Sequence, residues 1–174
     1  MQAVFYIFGS CVKNLLANKQ SFPIIKSPEG SNVKVWLHLH YKVPRNPTSR
    51  RVYVWRKLRK RLGAILLHDS VWILPKNPWT LEQFEWLVME IKEMEGEASL
   101  WEASLLLGQK DENLIQQFIA QVNEEYQEIL NDLYVEKGDL VSLSKRYQRV
   151  KMIDYFDSPV GIKVQEAIKK ARRN

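Results

Sequence analysis

Apolar and polar positions alternate near the middle of the chain and predict a short antiparallel sheet. From Val33 to Val43 every second residue is apolar, which is the period of a strand with one buried face. Further short apolar runs predict strands at 65–67, 71–74 and 98–104. Apolar residues three or four positions apart predict helices at 48–62 and 80–94. The order βαββαβ predicts an α+β fold, a ferredoxin-like unit with two helices on one face of the sheet.

The two predicted helices have recognisable starts and buried stripes. Thr48 or Ser49 can cap the first, which ends at Gly63 and whose apolar stripe is Val52, Trp55, Leu58 and Leu62. The second begins at a capping box of Thr80 and Gln83. Its inward stripe consists of Phe84, Leu87, Val88, Ile91 and Met94.

The pattern after Gly108 is helical only. Apolar residues trace one long helix from Leu114 to Leu133 and a second from Leu140 to Ile153, and Asp157-Ser158-Pro159 begins a third. These divisions predict three parts: a leader and linker at 1–32, the ferredoxin-like domain at 33–108, and a three-helix extension at 109–174. We expect the extension to pack on the first unit or on a second copy of the chain.

Length and composition exclude several classes of protein. A chain of 174 residues with 45% apolar and 26% charged residues is typical of one soluble domain and is short for a multi-domain enzyme. The longest apolar stretch near the start is about half the ~20 residues of a membrane span, so no membrane partner is expected. One cysteine, Cys11, excludes an internal disulfide and is typical of a reducing compartment. We therefore expect a cytoplasmic protein.

Basic residues are concentrated in one block. Between Lys34 and Lys76 there are eleven Lys or Arg residues and one acid, Asp69. Such a block sets the field that a partner meets and indicates a polyanion, with a merely solvated helix surface as the alternative. It predicts phosphate contacts to DNA from Arg50, Arg51, Arg56, Lys57, Lys60 and Arg61. Arg45 and Asn46, just before the helix, suit guanine and adenine edges.

Acidic residues follow in the second predicted helix. We expect most of them to point into water, and they are Glu82, Glu85, Glu90, Glu93 and Glu95. The alternative is that they meet the basic helix of a neighbouring copy, because patches of opposite charge steer association. A protein-interaction module that forms homo-oligomers would follow from that pairing.

Histidines and lysines on the first strand offer a second kind of site. Four of them share one face of that strand, Lys34, His38, His40 and Lys42, with His68 at the connection between the next two strands. Lysines repel a cation, so we predict no metal site there. Imidazolium and ammonium groups bind oxyanions, so the alternatives are a chromate or sulfate site and a half-exposed strand without a ligand.

Sequence motifs for catalysis are absent. The chain has no phosphate-binding glycine loop, no dinucleotide fingerprint and no serine elbow. We therefore expect neither an enzyme nor a bound cofactor.

Long stretches of the chain resemble a known family. PRNPTSRRVYVWRKL at 44–58, DSVWILP at 69–75 and YFDSPVG at 155–161 closely resemble the N-terminal domain of the ChrB-type chromate-resistance regulators. The resemblance implies a cytoplasmic, dimeric, DNA-associated regulator whose N-terminal part is usually followed by a chromate-responsive domain. Because this chain stops at Asn174, the expectation is a stand-alone, split or truncated version, with a chromate-responsive partner encoded separately.

A more distant resemblance concerns small nucleases. The strand, basic helix and SVW strand are similar to the CRISPR-associated ferredoxin-like endonucleases and to the related domain of phenylacetate-degradation repressors. Those nucleases hold a metal with an aspartate at the end of the first strand, where this chain has Lys42. Metal-dependent phosphodiester cleavage therefore stands only as an alternative to a non-enzymatic regulator.

Overall fold

Residues 34–69, 71–107, 110–135 and 139–172 are described by the structure, a computed structural model. The predicted leader at 1–32 lies outside these residues. The strands are β1 (Trp36–Lys42), β2 (Ile65–Leu67), β3 (Val71–Pro75) and β4 (Glu97–Ala103). Between them lie α1 (Thr48–Arg56), which continues as a π-helical segment (Lys57–Arg61), and α2 (Pro78–Glu93). The extension contains α3 (Asp111–Tyr134), α4 (Leu140–Met152) and α5 (Pro159–Ala171).

The sheet has the strand order β2-β3-β1-β4, and every neighbouring pair is antiparallel. This order and the alternation βαββαβ confirm the ferredoxin-like α+β unit, followed by three helices. The turn between β2 and β3 places His68 and Asp69 at positive φ, 49° and 59°, the left-handed backbone that closes a tight hairpin. β1 lies in the middle of the sheet, so the residues of its buried face, Leu37 and Leu39, lie in the core.

Trp36 at the start of β1 does not behave as the alternation predicts. It lies on the side assigned to polar residues, yet only 1% of it is exposed, because the extension covers this end of the sheet. Its indole Nε1 donates to Asp111 Oδ1 at 2.7 Å, and its ring stacks on Phe118 with centroids 5.8 Å apart. The extension thus packs on the first unit of the same chain, and Val33–Asn174 forms one compact unit.

The buried stripe of α1 differs from the predicted one. Its fully buried residues are Val54, Leu58 and Leu62, whereas the predicted Val52 and Trp55 are 39% and 46% exposed. In the π-helical segment the Leu62 amide donates to Lys57 O at 3.0 Å, five residues back. Val54, Leu58 and Leu62 are each four residues apart, a spacing that keeps side chains on one helical face, so the predicted Leu58 and Leu62 are confirmed and Val54 replaces Val52 and Trp55.

The ends of α1 are set by backbone geometry. Pro47 is the N-cap residue and no side chain caps the helix, so the predicted cap by Thr48 or Ser49 is wrong. Gly63 has φ +60°, and after it the Ala64 amide returns to Leu58 O at 2.9 Å. A left-handed residue at this place suits glycine and ends the helix where the sequence predicts.

The capping box of α2 lies one turn earlier than predicted. Asn77 is the N-cap: its side chain accepts from the Thr80 amide at 2.8 Å, and Thr80 Oγ1 accepts from the Asn77 amide at 3.0 Å. The inward stripe is confirmed by Phe84, Leu87 and Ile91, which have no exposed surface.

A second core joins the three helices of the extension. It confirms the predicted stripe of α3 and consists of Val122, Tyr126, Ile129 and Leu130 with Leu143, Tyr147, Val150, Ile153, Val164 and Ile168. Beside it the buried carboxylate of Asp154 accepts from Tyr126 Oη at 3.1 Å and from the Ser158 amide at 3.0 Å. The YFDSPVG segment therefore has a structural role: it begins α5 and fixes it against α3.

Candidate nucleic-acid interface

Exposed cations lie on α1, on the π-helical segment and in the loop that precedes them. We call this set the cationic face, and it consists of Arg45, Arg51, Arg56, Lys60 and Arg61. None of them forms an ion pair with another residue in the described ranges. Charges left in water without a counter-charge are available to a polyanion. Asn46, predicted beside Arg45, is also exposed.

Lys57 does not belong to the cationic face. Its side chain is 8% exposed, and its Nζ donates to Glu90 Oε1 of α2 at 2.6 Å. Tyr53 Oη donates to the other carboxylate oxygen of Glu90 at 3.0 Å. The expectation of a lysine free in water is wrong at this position, because residue 57 borders the buried stripe of α1 and faces α2.

Arg50 also has partners within the fold. Its Nη1 donates to Met94 O at 2.8 Å and to Glu95 Oε2 at 2.9 Å, at the end of α2. A guanidinium at the C-terminus of a helix satisfies a carbonyl that has no helical partner. Two of the predicted outward acids, Glu90 and Glu95, therefore meet the basic helix of their own chain.

The helical extension supports the end of the π-helical segment. Arg59 Nη1 donates to Gln121 Oε1 of α3, and Gln121 Nε2 donates to Gly63 O at 3.2 Å. Tyr155 Oη donates to Leu62 O at 2.6 Å, and burial raises the pKa of this hydroxyl. The sequence carries no signal for these contacts, since their partners lie 58 to 93 residues apart. They hold the last turn of the basic helix in place.

The residues of the predicted oxyanion site do not converge. Lys34 precedes β1, and its Nζ lies 5.5 Å from the ring centroid of Phe156. Lys42 is the last residue of β1 and pairs with Glu97 of β4. Eight residues of extended chain separate the two lysines, about 26 Å at ~3.3 Å per residue. They cannot contact one small anion, so the four-residue site is not formed.

His38 and His40 lie between these lysines, opposite Trp101 and Ser99 of β4. Burial lowers the pKa of His38 below its usual 6.5, and the charge of His40 lowers it further. The neutral imidazole is therefore the form that the fold favours at neutral pH. A neutral ring is a weaker ligand for an oxyanion than imidazolium.

We expect an NMR titration of the imidazole resonances to give His38 a pKa below 6.5. His40→Asn should raise this pKa only in part, since burial is the larger cause. A histidine with a depressed folded-state pKa stabilises the fold above the unfolded pKa, and this contribution is lost as the pH falls through the folded value. A pKa of 6.5 or higher for His38 would contradict the placement of its ring.

The described residues contain neither a cluster of metal ligands nor a helix that could span a membrane. Within 34–69, 71–107, 110–135 and 139–172, no three side chains of His, Cys, Asp or Glu lie close enough together to hold a metal ion. None of the helices in these ranges has the length and apolar content to cross a membrane.

Comparison with known proteins identifies the family. A family model described as Protein ChrB, N-terminal, matches residues 51–152, from within α1 to the last residue of α4. A search of the curated proteins and a search of the solved structures each found no match. The family match contains four of the five residues of the cationic face and covers more than half of the 174 residues. The chain therefore belongs to the ChrB N-terminal family, which places it in the context of chromate resistance.

Proposed function

We propose that this chain is a non-enzymatic DNA-binding regulator of the chromate-resistance type and that its cationic face contacts the phosphates. The observation that carries the proposal is the group Arg51, Arg56, Lys60 and Arg61, exposed on α1 and the π-helical segment and without acidic partners among the described residues. Lysine and arginine at phosphates release counterions, and this release supplies sequence-independent affinity. The family supplies the biological context.

The dimensions of this helical segment suit this role. Arg51 and Arg61 are ten residues apart, about 15 Å at ~1.5 Å per helical residue. One DNA strand carries a phosphate every ~3.4 Å along the duplex axis, so this length covers about four phosphates. α2 contacts one side of this helical segment through Glu90, and the extension contacts its end through Gln121 and Tyr155, which supports the backbone that carries these cations.

The salt dependence of binding tests this proposal. Four phosphate contacts predict a slope of about −3.6 in a plot of log K against log salt, at about −0.9 per contact. Arg56→Glu with Lys60→Glu should reduce the slope by at least about 1.8 and weaken binding to all sequences alike. Fluorescence anisotropy with a labelled 30-base-pair duplex at several salt concentrations measures both quantities.

The matched control reverses the same charge elsewhere. Lys163→Glu with Lys169→Glu makes an equal change on the exposed side of α5, away from the cationic face. This variant should keep most of the slope of the unchanged chain. A flat salt response, or equal losses in the two double variants, would overturn the proposal.

A further inference from the structure

A cleft lies between α1 and the end of β1. Its volume is about 530 Å³, within the range of roughly 300–1,000 Å³ of small-molecule clefts. Tyr41 and Val43 line it from the end of β1, while Val52, Trp55, Arg51 and Arg56 line it from α1. We call it the α1 cleft. Two members of the cationic face, Arg51 and Arg56, thus stand at an apolar cleft.

Two large apolar side chains beside these arginines are exposed to water. Trp55 and Val52 keep 46% and 39% of their surface in water. Arg51 lines the cleft together with Tyr41, and burial raises the pKa of the Tyr41 hydroxyl. The lining of the cleft therefore combines two aromatic side chains, Tyr41 and Trp55, with two valines and two arginines. An aromatic ring beside cations is the arrangement with which proteins bind unstacked bases.

We infer that the α1 cleft binds one unstacked nucleobase against Trp55, with Arg51 and Arg56 holding the neighbouring phosphates, and that the chain prefers single-stranded nucleic acid to continuous duplex. This inference rests on the proposed function, since the same arginines supply the phosphate contacts. In a duplex the faces of the bases are covered by their neighbours. Only a single strand, or a base turned out of the helix, can offer a face to the indole.

Charge favours a nucleic acid over a second copy of the chain as the occupant. The lining of the cleft contains two arginines and no carboxylate. A second copy would have to bring its own acids to these arginines, for which the exposed side of α2 with Trp86 and Met89 is the candidate surface.

Affinity for single and double strands gives the test. Labelled 20-nucleotide oligo(dT) and a 20-base-pair duplex are titrated with the full chain at one salt concentration, with fluorescence anisotropy as the signal. Trp55→Leu should weaken binding to oligo(dT) by roughly 5- to 150-fold, since stacking on an aromatic ring contributes about 1–3 kcal/mol per base. Trp55→Leu should change the affinity for the duplex by less than about twofold. Trp55→Phe should retain most of the single-strand affinity, because a phenyl ring also stacks.

Trp86→Leu is the matched control, because Trp86 is also exposed, at 60%, but lies on acidic α2. It should change neither affinity. If Trp55→Leu leaves the oligo(dT) affinity unchanged while Arg56→Glu with Lys60→Glu still weakens the duplex, the base cleft is wrong and the proposed function stands. If neither variant changes any affinity, the proposed function fails as well. If Trp55→Leu converts a dimer to a monomer in sedimentation at unchanged affinity, a second copy occupies the cleft and the inference is overturned.

Discussion

Glu90→Gln is expected to lower the free energy of unfolding by about 3 kcal/mol, because it leaves the Lys57 ammonium group in the fold without a counter-charge. The side chain of Lys57 is 8% exposed and that of Glu90 is 30% exposed. The two partners are therefore not equivalent. Lys57→Met removes the buried charge and fills the same space, while Glu90 can turn toward water, so the cost should be about 1 kcal/mol or less.

Urea denaturation of the two single variants and of the double variant measures this asymmetry. The double variant should be close to Lys57→Met, since removing the lysine also removes the penalty of the missing carboxylate. Lys60→Met and Glu93→Gln are controls at exposed positions of the same elements, and each should change stability by less than about 0.5 kcal/mol. If Glu90→Gln and Glu93→Gln lower the free energy of unfolding by the same amount, the Lys57 ammonium group is exposed to water. Lys57 would then be available to contact phosphates.

Much of the fold could be predicted from periodicity. α2 and α3 are long and amphipathic, so their stripes of Phe84 to Ile91 and Leu114 to Leu130 are fixed by local spacing. β1 alternates from Leu37 onward, and the prolines after it mark its end. Few strand orders are then possible, because a βαββαβ chain that packs both helices on one face of the sheet can connect its strands in only a few ways.

The candidate site could be predicted only as a block of charge. Lys57 and Lys60 are both lysines in one cationic run, and nothing local distinguishes them. The distinction depends on a π-helical turn and on Glu90, which lies 33 residues further along the chain. Likewise Trp55 is 46% exposed and Trp36 is 1% exposed, whereas periodicity predicts the opposite environment for each. Tertiary neighbours decide burial in both cases, and periodicity does not contain them.

Trp36→Ala is expected to have the largest effect of any single substitution proposed for this chain, a loss of about 3–5 kcal/mol in the free energy of unfolding. Only 1% of this side chain is exposed, its ring stacks on Phe118, and its Nε1 donates to Asp111. The ring lies between the sheet and α3. Truncation therefore removes buried apolar surface and also leaves a cavity between the sheet and the extension. Asp111→Asn, which keeps an acceptor at the same place, should cost only about 1 kcal/mol.

Trp101→Ala provides the comparison, because Trp101 lies on the same face of the sheet but is 61% exposed on β4. Its removal should cost less than about 1 kcal/mol. Far-ultraviolet circular dichroism reports mainly the helices, and tryptophan fluorescence reports the ferredoxin-like part, which contains all six tryptophans. If the sheet and the extension unfold together, the unfolding midpoints from both signals should shift by the same amount in Trp36→Ala. A cost no greater than that of Trp101→Ala would mean that the extension is not anchored at β1. In that case α3 and the segment after α4 would not be fixed against the sheet. The hydrogen bonds of Gln121 and Tyr155 to the end of the π-helical segment would then not stabilise the position of that segment.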